Sequence, residues 1–409
     1  MKKKVKKVII FLICFFVYDN ASSQSLTVNV DFNQKDEQCS IREGILSPHR
    51  QTIEFKAQGK SIAKIKLGEP VIVAIADEPE KWGFFQFPSI FRTNDGTLII
   101  SWAMRADSYK AYESKNEGNN KMMSKDNGKT WIDYDGSYDT EWYSATKYGD
   151  EYLSIYQPKA KDISQIKNFP KAVDDIIHYG IRYKFFRDAE LPESLQGIFV
   201  RKWTDLYANA SQIRTFHAKI NDDNLCRYAT DDQMFVLWNG DIWQMKNGDI
   251  IGCNYRGFYE DSNGGILPSG ISFYKWNEAE VSWDLLGKIP FQPDLIADPK
   301  GNERKVWGFT EPTFVEMDDG TLVCVFRSSE EEKLTPMYRS VSKDGGRTWT
   351  HPVAFTPNGV KPHFLKLGNR SLVLTSGRPG VQVRFNFDGT GENWTEAIDM
   401  LPFMNEDGS

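Results

Sequence analysis

The pattern Ser-x-Asp-x-Gly-x-Thr-Trp occurs twice in this chain, and it restricts the possible folds more than any other feature. One copy is Ser124–Trp131 and the other is Ser342–Trp349; we call them the box turns. Asp and Gly favour a tight turn, Ser and Thr can hydrogen-bond to nearby backbone, and Trp can fill the space beneath. Chance rarely repeats so many fixed positions, so the pattern predicts an array of small β units.

Four segments share a second pattern, in which an apolar strand enters a polar turn and another apolar strand leaves it. This pattern is typical of a β-hairpin, and each second strand ends on an arginine. The segments are Pro88–Arg105, Asp241–Arg256, Pro312–Arg327 and Pro362–Arg378. Box turns follow the first and third hairpins, and degenerate versions follow the others. A hairpin with its box gives about four strands, repeating roughly every 50 to 70 residues, which is the period of propeller blades. The sequence therefore predicts an all-β fold, a β-propeller.

The remaining segments fit this division less regularly. Short apolar runs predict strands at residues 26–30, 62–67 and 71–76, within an N-terminal β segment of residues 24–81 that leads into a propeller of residues 82–409. Residues 132–225 break the rhythm, and we expect one poorly marked blade there with an insertion near 155–200. Within this stretch residues 172–177 suggest a helical turn, and residues 198–200 and 212–216 suggest strands.

The first residues have the pattern of a secretory signal. A basic start, an apolar run at residues 8–17 and small polar residues at 21–23 predict a signal peptide over residues 1–23. The apolar run is too short to span a bilayer comfortably. Cys14 raises the alternative of a lipoprotein, which the bulky Ile13 disfavours. We therefore expect a secreted or periplasmic protein without a membrane span.

Charge and cysteine usage exclude other classes. A formal net charge of -6 gives no general attraction to nucleic acid. The cysteines beyond the signal are far apart and lack metal-ligand spacing, and no phosphate loop or metal motif is present, so we expect no cofactor and no metal. Cys253 and Cys324 both precede a hairpin arginine by three residues, which predicts buried free thiols on strands. Whether Cys39 and Cys226 form a disulfide stays open, as does the oligomeric state.

The hairpin arginines are the most informative chemical feature. In a propeller the innermost strands lie side by side around one axis, so equivalent strand ends converge. Neighbouring guanidinium groups repel without a shared anion, and their planar geometry favours a carboxylate, sulfate or phosphate. The alternative is that each arginine pairs with a local acid at a blade edge. The sequence predicts that four positions gather around an acidic ligand: Arg105, Arg256, Arg327 and Arg378. Asp126 and Asp344, by contrast, are predicted to be structural turn residues.

The box turns resemble the Asp-boxes, or BNR repeats, of the sialidase superfamily of six-bladed propellers. Two further segments between Phe84 and Trp394 are similar to this family. The stretch from Glu311-Pro312 to Arg327 resembles its E-P-S-x-x-x-L-x-D-G-x-L motif, and Phe85-Gln86-Phe87-Pro88 resembles its [YF]-R-I-P motif. The resemblance implies a six-bladed propeller and an exo-acting glycoside hydrolase that cleaves a terminal acidic sugar.

Individual roles follow from the resemblance to different degrees. It implies that Glu311 polarises a tyrosine nucleophile, that Arg327 and Arg378 hold the substrate carboxylate, and that Asp107 is the acid/base residue. Gln86 stands where the family has its first carboxylate-binding arginine, and an amide cannot neutralise a carboxylate. The expected tyrosine would lie beyond Ser409, so we expect the sequence to be incomplete or the protein not to use that residue.

Other residues leave alternatives open. His363 stands near the entry of an inner strand, and Tyr255 could line a sugar subsite. One alternative is a propeller hydrolase or lyase acting on uronate or sulfated polysaccharide, with Tyr255 or His363 as base. Another is a glycan-binding propeller without catalysis, favoured by Gln86. In all three hypotheses the partner is a glycan with an anionic sugar.

Overall fold

The computed structural model describes residues 52–57, 60–66, 71–74, 85–93, 95–104, 120–136, 145–204, 213–236, 238, 240–328, 334–368, 370–378 and 380–401. Within these ranges the regular structure is β-strand, with short 3-10 turns at Ile163–Gln165, Asp188–Glu190, Glu193–Leu195 and Gly301–Glu303. The all-β prediction is confirmed. The described residues contain no helix of the length and apolarity that crossing a membrane requires. The predicted signal peptide, Cys14, Cys39 and the strand at 26–30 lie outside the described residues.

The chain divides into two compact units, one of residues 1–143 with 399–401 and one of residues 144–398 with 402–409. The strands of the first unit are β1 (Thr52–Ala57), β2 (Lys60–Lys66), β3 (Phe85–Arg92), β4 (Leu98–Met104), β5 (Lys121–Ser124) and β6 (Ile132–Asp133). The second unit begins with β7 (Thr146–Tyr148), β8 (Glu151–Tyr156), β9 (Lys161–Asp162), β10 (Asp174–His178), β11 (Ile181–Arg187), β12 (Ile198–Trp203), β13 (Arg214–Asn221), β14 (Cys226–Thr230) and β15 (Gln233–Met234). It continues with β16 (Ile242–Gln244), β17 (Ile250–Asn254), β18 (Ile271–Asn277), β19 (Ser282–Ile289), β20 (Thr310–Glu316), β21 (Leu322–Arg327), β22 (Met337–Ser342), β23 (Val353–Thr356), β24 (Val360–Lys366), β25 (Leu372–Gly377) and β26 (Val381–Asn386). In the last strand, β27 (Ile398–Leu401), the first residue belongs to the second unit and the other three belong to the first.

The first unit contains a β1–β2 hairpin and a four-stranded antiparallel sheet in the order β3-β4-β5-β6. The prediction of a strand at residues 62–67 is confirmed by β2 over the described residues. The strand predicted at 71–76 is wrong for residues 71–74, which form none. Val73 is instead buried against Ile100 and Trp102, so this apolar run packs its side chains on the core without joining a ladder.

The second unit is built from sheets of the same design. Its eight-stranded sheet consists of two antiparallel meanders, β7-β8-β12-β13 and β16-β17-β18-β19, joined by parallel pairing of β13 with β19. Further sheets have the order β20-β21-β22-β23 and, within this unit, β24-β25-β26. The inner hairpins of successive meanders lie together, because β7 contacts β16, the second strand β17 contacts β20, and β20 contacts β24. Repeated meanders joined through their inner strands are blades, so the propeller prediction is confirmed; the number six stays a prediction.

The irregular stretch folds as an extra sheet. Strands β10, β11, β14, β15 and β9 form a five-stranded sheet in that order. The helical turn predicted at residues 172–177 is wrong, because β10 pairs with β11 as a hairpin. Tyr179 and Gly180 connect them with φ of 49° and 76°, and two successive positive φ angles are typical of a tight hairpin turn. The strands predicted at 198–200 and 212–216 are confirmed by β12 and, over its described residues, by β13.

The box turns have nearly the same hydrogen bonds in both units. In the second copy Ser342 Oγ donates to Asp344 Oδ1 at 2.8 Å, Thr348 Oγ1 donates to Asp344 Oδ2 at 2.7 Å, and Trp349 Nε1 donates to Gly346 O at 3.0 Å. In the first copy the matching distances are 2.8, 2.6 and 3.0 Å. Hydrogen bonds from the threonine side chain and backbone lower the pKa of Asp126 and of Asp344 to about 2. These contacts support the structural role predicted for both aspartates.

The tryptophan of the second box turn fills space between sheets. The Trp349 ring stacks on Phe273 of β18 with 4.1 Å between centroids. Gly287 of β19 allows the backbone of this turn to approach closely, since a Cβ there would lie 2.3 Å from Gly346 O. The box turn therefore connects β22 to β23 and also packs its own sheet against the preceding one.

Candidate functional site

The hairpin arginines do not share one register. In the third hairpin Arg327 pairs with Thr310, the residue before Glu311-Pro312. In the fourth hairpin Gly377 pairs with Val360, the residue before Lys361-Pro362. Arg378 therefore lies one residue beyond the position that Arg327 occupies.

The other two hairpins are offset as well. In the first, Ala103 pairs with Gln86, the residue before Phe87-Pro88, so Arg105 lies two residues further along and outside the described residues. In the second, the hydrogen bond from Met245 N to Asp249 O corresponds to the one from Met317 N to Thr321 O. Counting from these turns, Tyr255 takes the place of Arg327.

The prediction that the four arginines occupy equivalent strand positions is therefore wrong. Counted from the same turns, Cys253 and Cys324 also differ by one position in their strands. The spacing between the hairpin turn and the arginine differs among hairpins, and a one-residue shift sends a strand side chain to the opposite face.

Arg327 forms an ion pair with Glu311 across the third hairpin. The Arg327 side chain is 5% exposed and that of Glu311 is 16% exposed, with Arg327 Nε 2.8 Å from Glu311 Oε2. The Nε–H does not point at that oxygen, so the hydrogen bond of the pair runs from Nη2 to Oε1, at 3.4 Å. Among the described residues, Arg327 Nη1 has no hydrogen-bond partner, and neither has the buried Thr310 Oγ1. A buried guanidinium with an unused donor is suited to bind an oxyanion.

Glu311 also receives a hydrogen bond from the neighbouring sheet. The backbone N–H of Lys361, on β24, donates to Glu311 Oε2 at 2.8 Å. Glu311 and Lys361 each precede a proline and have φ of 52° and 47°, at a register shift in their strands. A positive φ is unfavourable for a residue with a side chain, and a following proline restricts the backbone further. Strained residues of this kind cluster at functional sites. The strain here directs the Glu311 carboxylate and the Lys361 N–H toward each other.

The carboxylate of Asp241 contacts β20, the strand that carries Glu311. Thr313 Oγ1, on β20, donates to Asp241 Oδ2 at 2.6 Å, and Phe364 N donates to Thr313 Oγ1 at 3.4 Å. Thr313 is 1% exposed, so this contact is shielded from water. The two hydrogen bonds of Thr313 thus link the second, third and fourth hairpins.

A buried ion pair supports the strand that carries Arg327. Ser328 directly follows Arg327, and its hydroxyl donates to Asp298. Arg304 Nη2 donates to Asp298 Oδ1 at 3.1 Å, and all three side chains belong to residues at most 9% exposed. Separating a buried ion pair would leave an uncompensated charge in the protein interior, which is costly. The Asp298–Arg304 pair therefore holds Ser328, and with it the end of β21, in place.

Arg256 lies in an aromatic cluster. Its guanidinium is 5.2 Å from the Tyr255 ring centroid and 5.0 Å from that of Trp307. It also donates to the hydroxyl of Tyr228 and, at 3.3 Å, to that of Tyr255. Tyr255 itself is only 4% exposed. The structure thus shows Arg256 held by aromatic faces and phenol oxygens.

The remaining predicted site residues stand apart or lie outside the described residues. Arg378 is half-buried at the turn between β25 and β26, with φ of 46°, and its backbone N–H donates to Gly380 O at 3.0 Å. His363 is exposed on β24, and the hydrogen bonds and ion pair that Glu311 and Arg327 form with described residues do not include either side chain. Gln86 belongs to β3, and Asp107 lies outside the described residues.

Sequence reasoning missed Asp241, Thr313 and Lys361 as site residues. A signal for Lys361 was present, because Lys361-Pro362 and Glu311-Pro312 occupy the same place in aligned hairpins. The described residues contain no group of three or more His, Cys, Asp or Glu side chains arranged to hold a metal ion.

Comparisons with known proteins give similarity at low identity. No family model matches the chain, and no curated protein matches it. Among solved structures, a protein of unknown function from Dyadobacter fermentans is 19% identical, with 78% of this chain and 83% of that chain covered and a TM-score of 0.47. The Hadza microbial sialidase Hz136 is 15% identical, with 83% and 65% covered and a TM-score of 0.41. An endo-arabinase from Bacteroides thetaiotaomicron is 13% identical, with 80% and 96% covered and a TM-score of 0.36. The chain is thus similar, at low identity, to solved structures that include a sialidase and an endo-arabinase.

Proposed function

We propose that this protein is an exported, exo-acting glycoside hydrolase of the sialidase type, which removes a terminal acidic sugar, sialic acid or a similar one, from a glycan. The observation that carries the proposal is the Glu311–Arg327 pair, in which Nη1 of a nearly buried arginine has no hydrogen-bond partner among the described residues. An oxyanion is the group that this donor would bind best. The E-P motif at Glu311-Pro312, with Arg327 after it, supports the same assignment.

The proposed reaction uses an arginine, two carboxyl groups and a tyrosine. Arg327 holds the sugar carboxylate, and Glu311 accepts the proton of a tyrosine hydroxyl that attacks the anomeric carbon. The bond from that carbon to the leaving oxygen breaks, and Asp107 donates the proton that the leaving oxygen takes up. Water then attacks the anomeric carbon and gives a proton to Asp107, the bond from that carbon to the tyrosine oxygen breaks, and Glu311 returns its proton to that oxygen. A tyrosine suits this reaction because an anionic nucleophile would be repelled by the anionic substrate.

Glu311 is well placed for its proposed role because two neighbours fix its carboxylate. The Arg327 guanidinium is paired with the carboxylate and donates to Oε1, and the Lys361 N–H donates to Oε2. Held in this way, the carboxylate needs little reorganisation when it accepts a proton, which is the arrangement that general-base catalysis favours. We further propose that the propeller extends over residues 82–409, with its insertion near residues 155–200, the stretch that contains β9, β10 and β11.

A fluorogenic sialoside tests the proposal directly. We expect the unsubstituted protein to release the fluorophore and Glu311→Gln to lose about 100-fold or more in kcat/KM, because the amide cannot accept the proton. Glu280→Gln, which makes the same change at an exposed carboxylate, is the matched control and should keep full activity.

Two other results would contradict the proposal. New ultraviolet absorbance with a uronate polysaccharide would indicate an eliminating lyase. Binding of acidic sugars without turnover of any sialoside would indicate a glycan-binding propeller.

A further inference from the structure

Lys361 combines a strained backbone with an exposed side chain. Its φ of 47° precedes Pro362, and the resulting conformation directs its N–H to the Glu311 carboxylate. The side chain is exposed and forms no hydrogen bond or ion pair with any residue that the structure describes. A costly backbone conformation that persists beside a candidate site is a reason to infer function.

The charge of Lys361 has an electrostatic effect on the second hairpin. Burial and the Asp241 carboxylate raise the pKa of the Cys253 thiol well above its usual range, and Lys361 opposes that shift. The Lys361 charge is therefore within electrostatic reach of the second hairpin. Cys253 Sγ contacts Pro312 O at 3.8 Å, which places this thiol beside the residue that follows Glu311.

The charges of the site show what Lys361 adds. Four residues with charged side chains belong to these neighbouring strand ends, and they are Asp241, Glu311, Arg327 and Lys361. Glu311 is paired with Arg327, and Asp241 accepts a hydrogen bond from Thr313. An acidic sugar that meets Arg327 alone would compete with Glu311 for one cation, so the site needs a second positive charge for an incoming anion.

We propose that Lys361 is a specificity-determining residue whose ammonium group, together with Nη1 of Arg327, binds the anionic group of the sugar. This inference rests on the proposed function for the identity of the site, and it names a carboxylate or a sulfate ester as the group recognised. Lysine meets such oxyanions as a point charge and does not require bidentate geometry, so the two ligands share the same chemistry.

Equilibrium binding tests this role separately from catalysis. The variant is Lys361→Gln, which removes the ammonium group and keeps the backbone N–H that holds Glu311. Calorimetry with N-acetylneuraminic acid, with 6-sulfated N-acetylglucosamine and with neutral N-acetylglucosamine distinguishes carboxylate, sulfate and uncharged sugar. We expect Kd for at least one acidic sugar to rise about tenfold, the cost of one charged hydrogen bond, with no change for the neutral sugar.

Matched variants complete the design. Lys361→Arg should keep the affinity for the acidic sugar, and Lys343→Gln, at an exposed lysine of the box turn, should leave every Kd unchanged. The difference between the unsubstituted protein and Lys361→Gln should shrink as salt is added.

Three results would overturn the inference. They are unchanged acidic-sugar binding in Lys361→Gln, an equal loss for the neutral sugar, and absence of acidic-sugar binding by the unsubstituted protein. If binding is unchanged while sialoside turnover still depends on Glu311, the proposed function stands and the role of Lys361 is wrong. If binding depends on Lys361 but no sialoside is cleaved, the role of Lys361 stands and the proposed function is wrong.

Discussion

Thr313 donates a hydrogen bond of 2.6 Å to Asp241, although the two residues belong to the inner hairpins of different sheets. Thr313 is almost completely buried, so water cannot replace this contact. Thr313→Val has nearly the same shape and lacks the hydroxyl. We expect it to lower the free energy of unfolding by about 1.5–3 kcal/mol, the usual contribution of a hydrogen bond to a charged group.

Urea denaturation measures this change as a shift of the midpoint at constant slope. Thr313→Ser keeps the hydroxyl and is the matched control, although it also loses a methyl group. A Thr313→Val variant as stable as the unsubstituted protein would show that the contact does not join the sheets.

Arg327 is expected to compensate the charge of Glu311. Arg327→Met leaves a carboxylate that is only 16% exposed without its cation, so we expect a loss of about 3–5 kcal/mol in the free energy of unfolding. Adding Glu311→Gln removes the uncompensated charge, and the double variant should be more stable than Arg327→Met alone. A double-mutant cycle by urea denaturation measures the coupling, and strictly additive losses would contradict the pairing.

The box turn should make stability sensitive to acid. Hydrogen bonds from Thr348 lower the pKa of Asp344 from 3.8 to about 2, so folding favours the ionised form. The stabilisation is fully present above the unfolded pKa and is lost as pH falls through the folded value. Thermal unfolding should therefore show that Asp344→Asn is destabilising near neutral pH and that its difference from the unsubstituted protein shrinks between about pH 5 and pH 2.

Thr348 provides the controls for this pH dependence. Thr348→Val removes the hydroxyl that donates to Asp344 Oδ2 at 2.7 Å, and it should weaken the acid sensitivity. Thr348→Ser keeps that donor and should retain it. A difference between Asp344→Asn and the unsubstituted protein that is the same at all pH values would contradict this account.

The described cysteines should resist alkylation in the folded protein. Cys226, Cys253 and Cys324 are free and buried, which confirms the prediction of free thiols for the latter two. Burial, with the Glu260 charge, raises the pKa of Cys226 to about 12, and burial raises the pKa of the other two thiols well above the usual range.

Because the thiolate is the reactive form, labelling of these three residues by iodoacetamide should be slower by orders of magnitude in the native protein than in denaturant. Peptide mapping by mass spectrometry reports each residue separately. Equal labelling of Cys324 in both states would show that this part of the core opens readily.

Much of the architecture could be predicted because it is local. The box turns are specified by side chains that bond within eight consecutive residues, and the hairpins by apolar runs around a polar turn. The helical turn predicted at 172–177 failed because the φ angles of Tyr179 and Gly180, and pairing with β11, decide the structure there.

The sequence by itself determined the hairpins and their box turns, that Glu311 and Arg327 stand in one hairpin, and that the aspartates of the box turns serve the turns. Only the tertiary structure decided the register: which arginine faces Glu311, that Arg256 is held by aromatic rings, and that Lys361 reaches Glu311 from the next sheet. The physical reason is that side chains on a strand alternate in direction, so an offset of one residue, invisible in a motif, changes the partner.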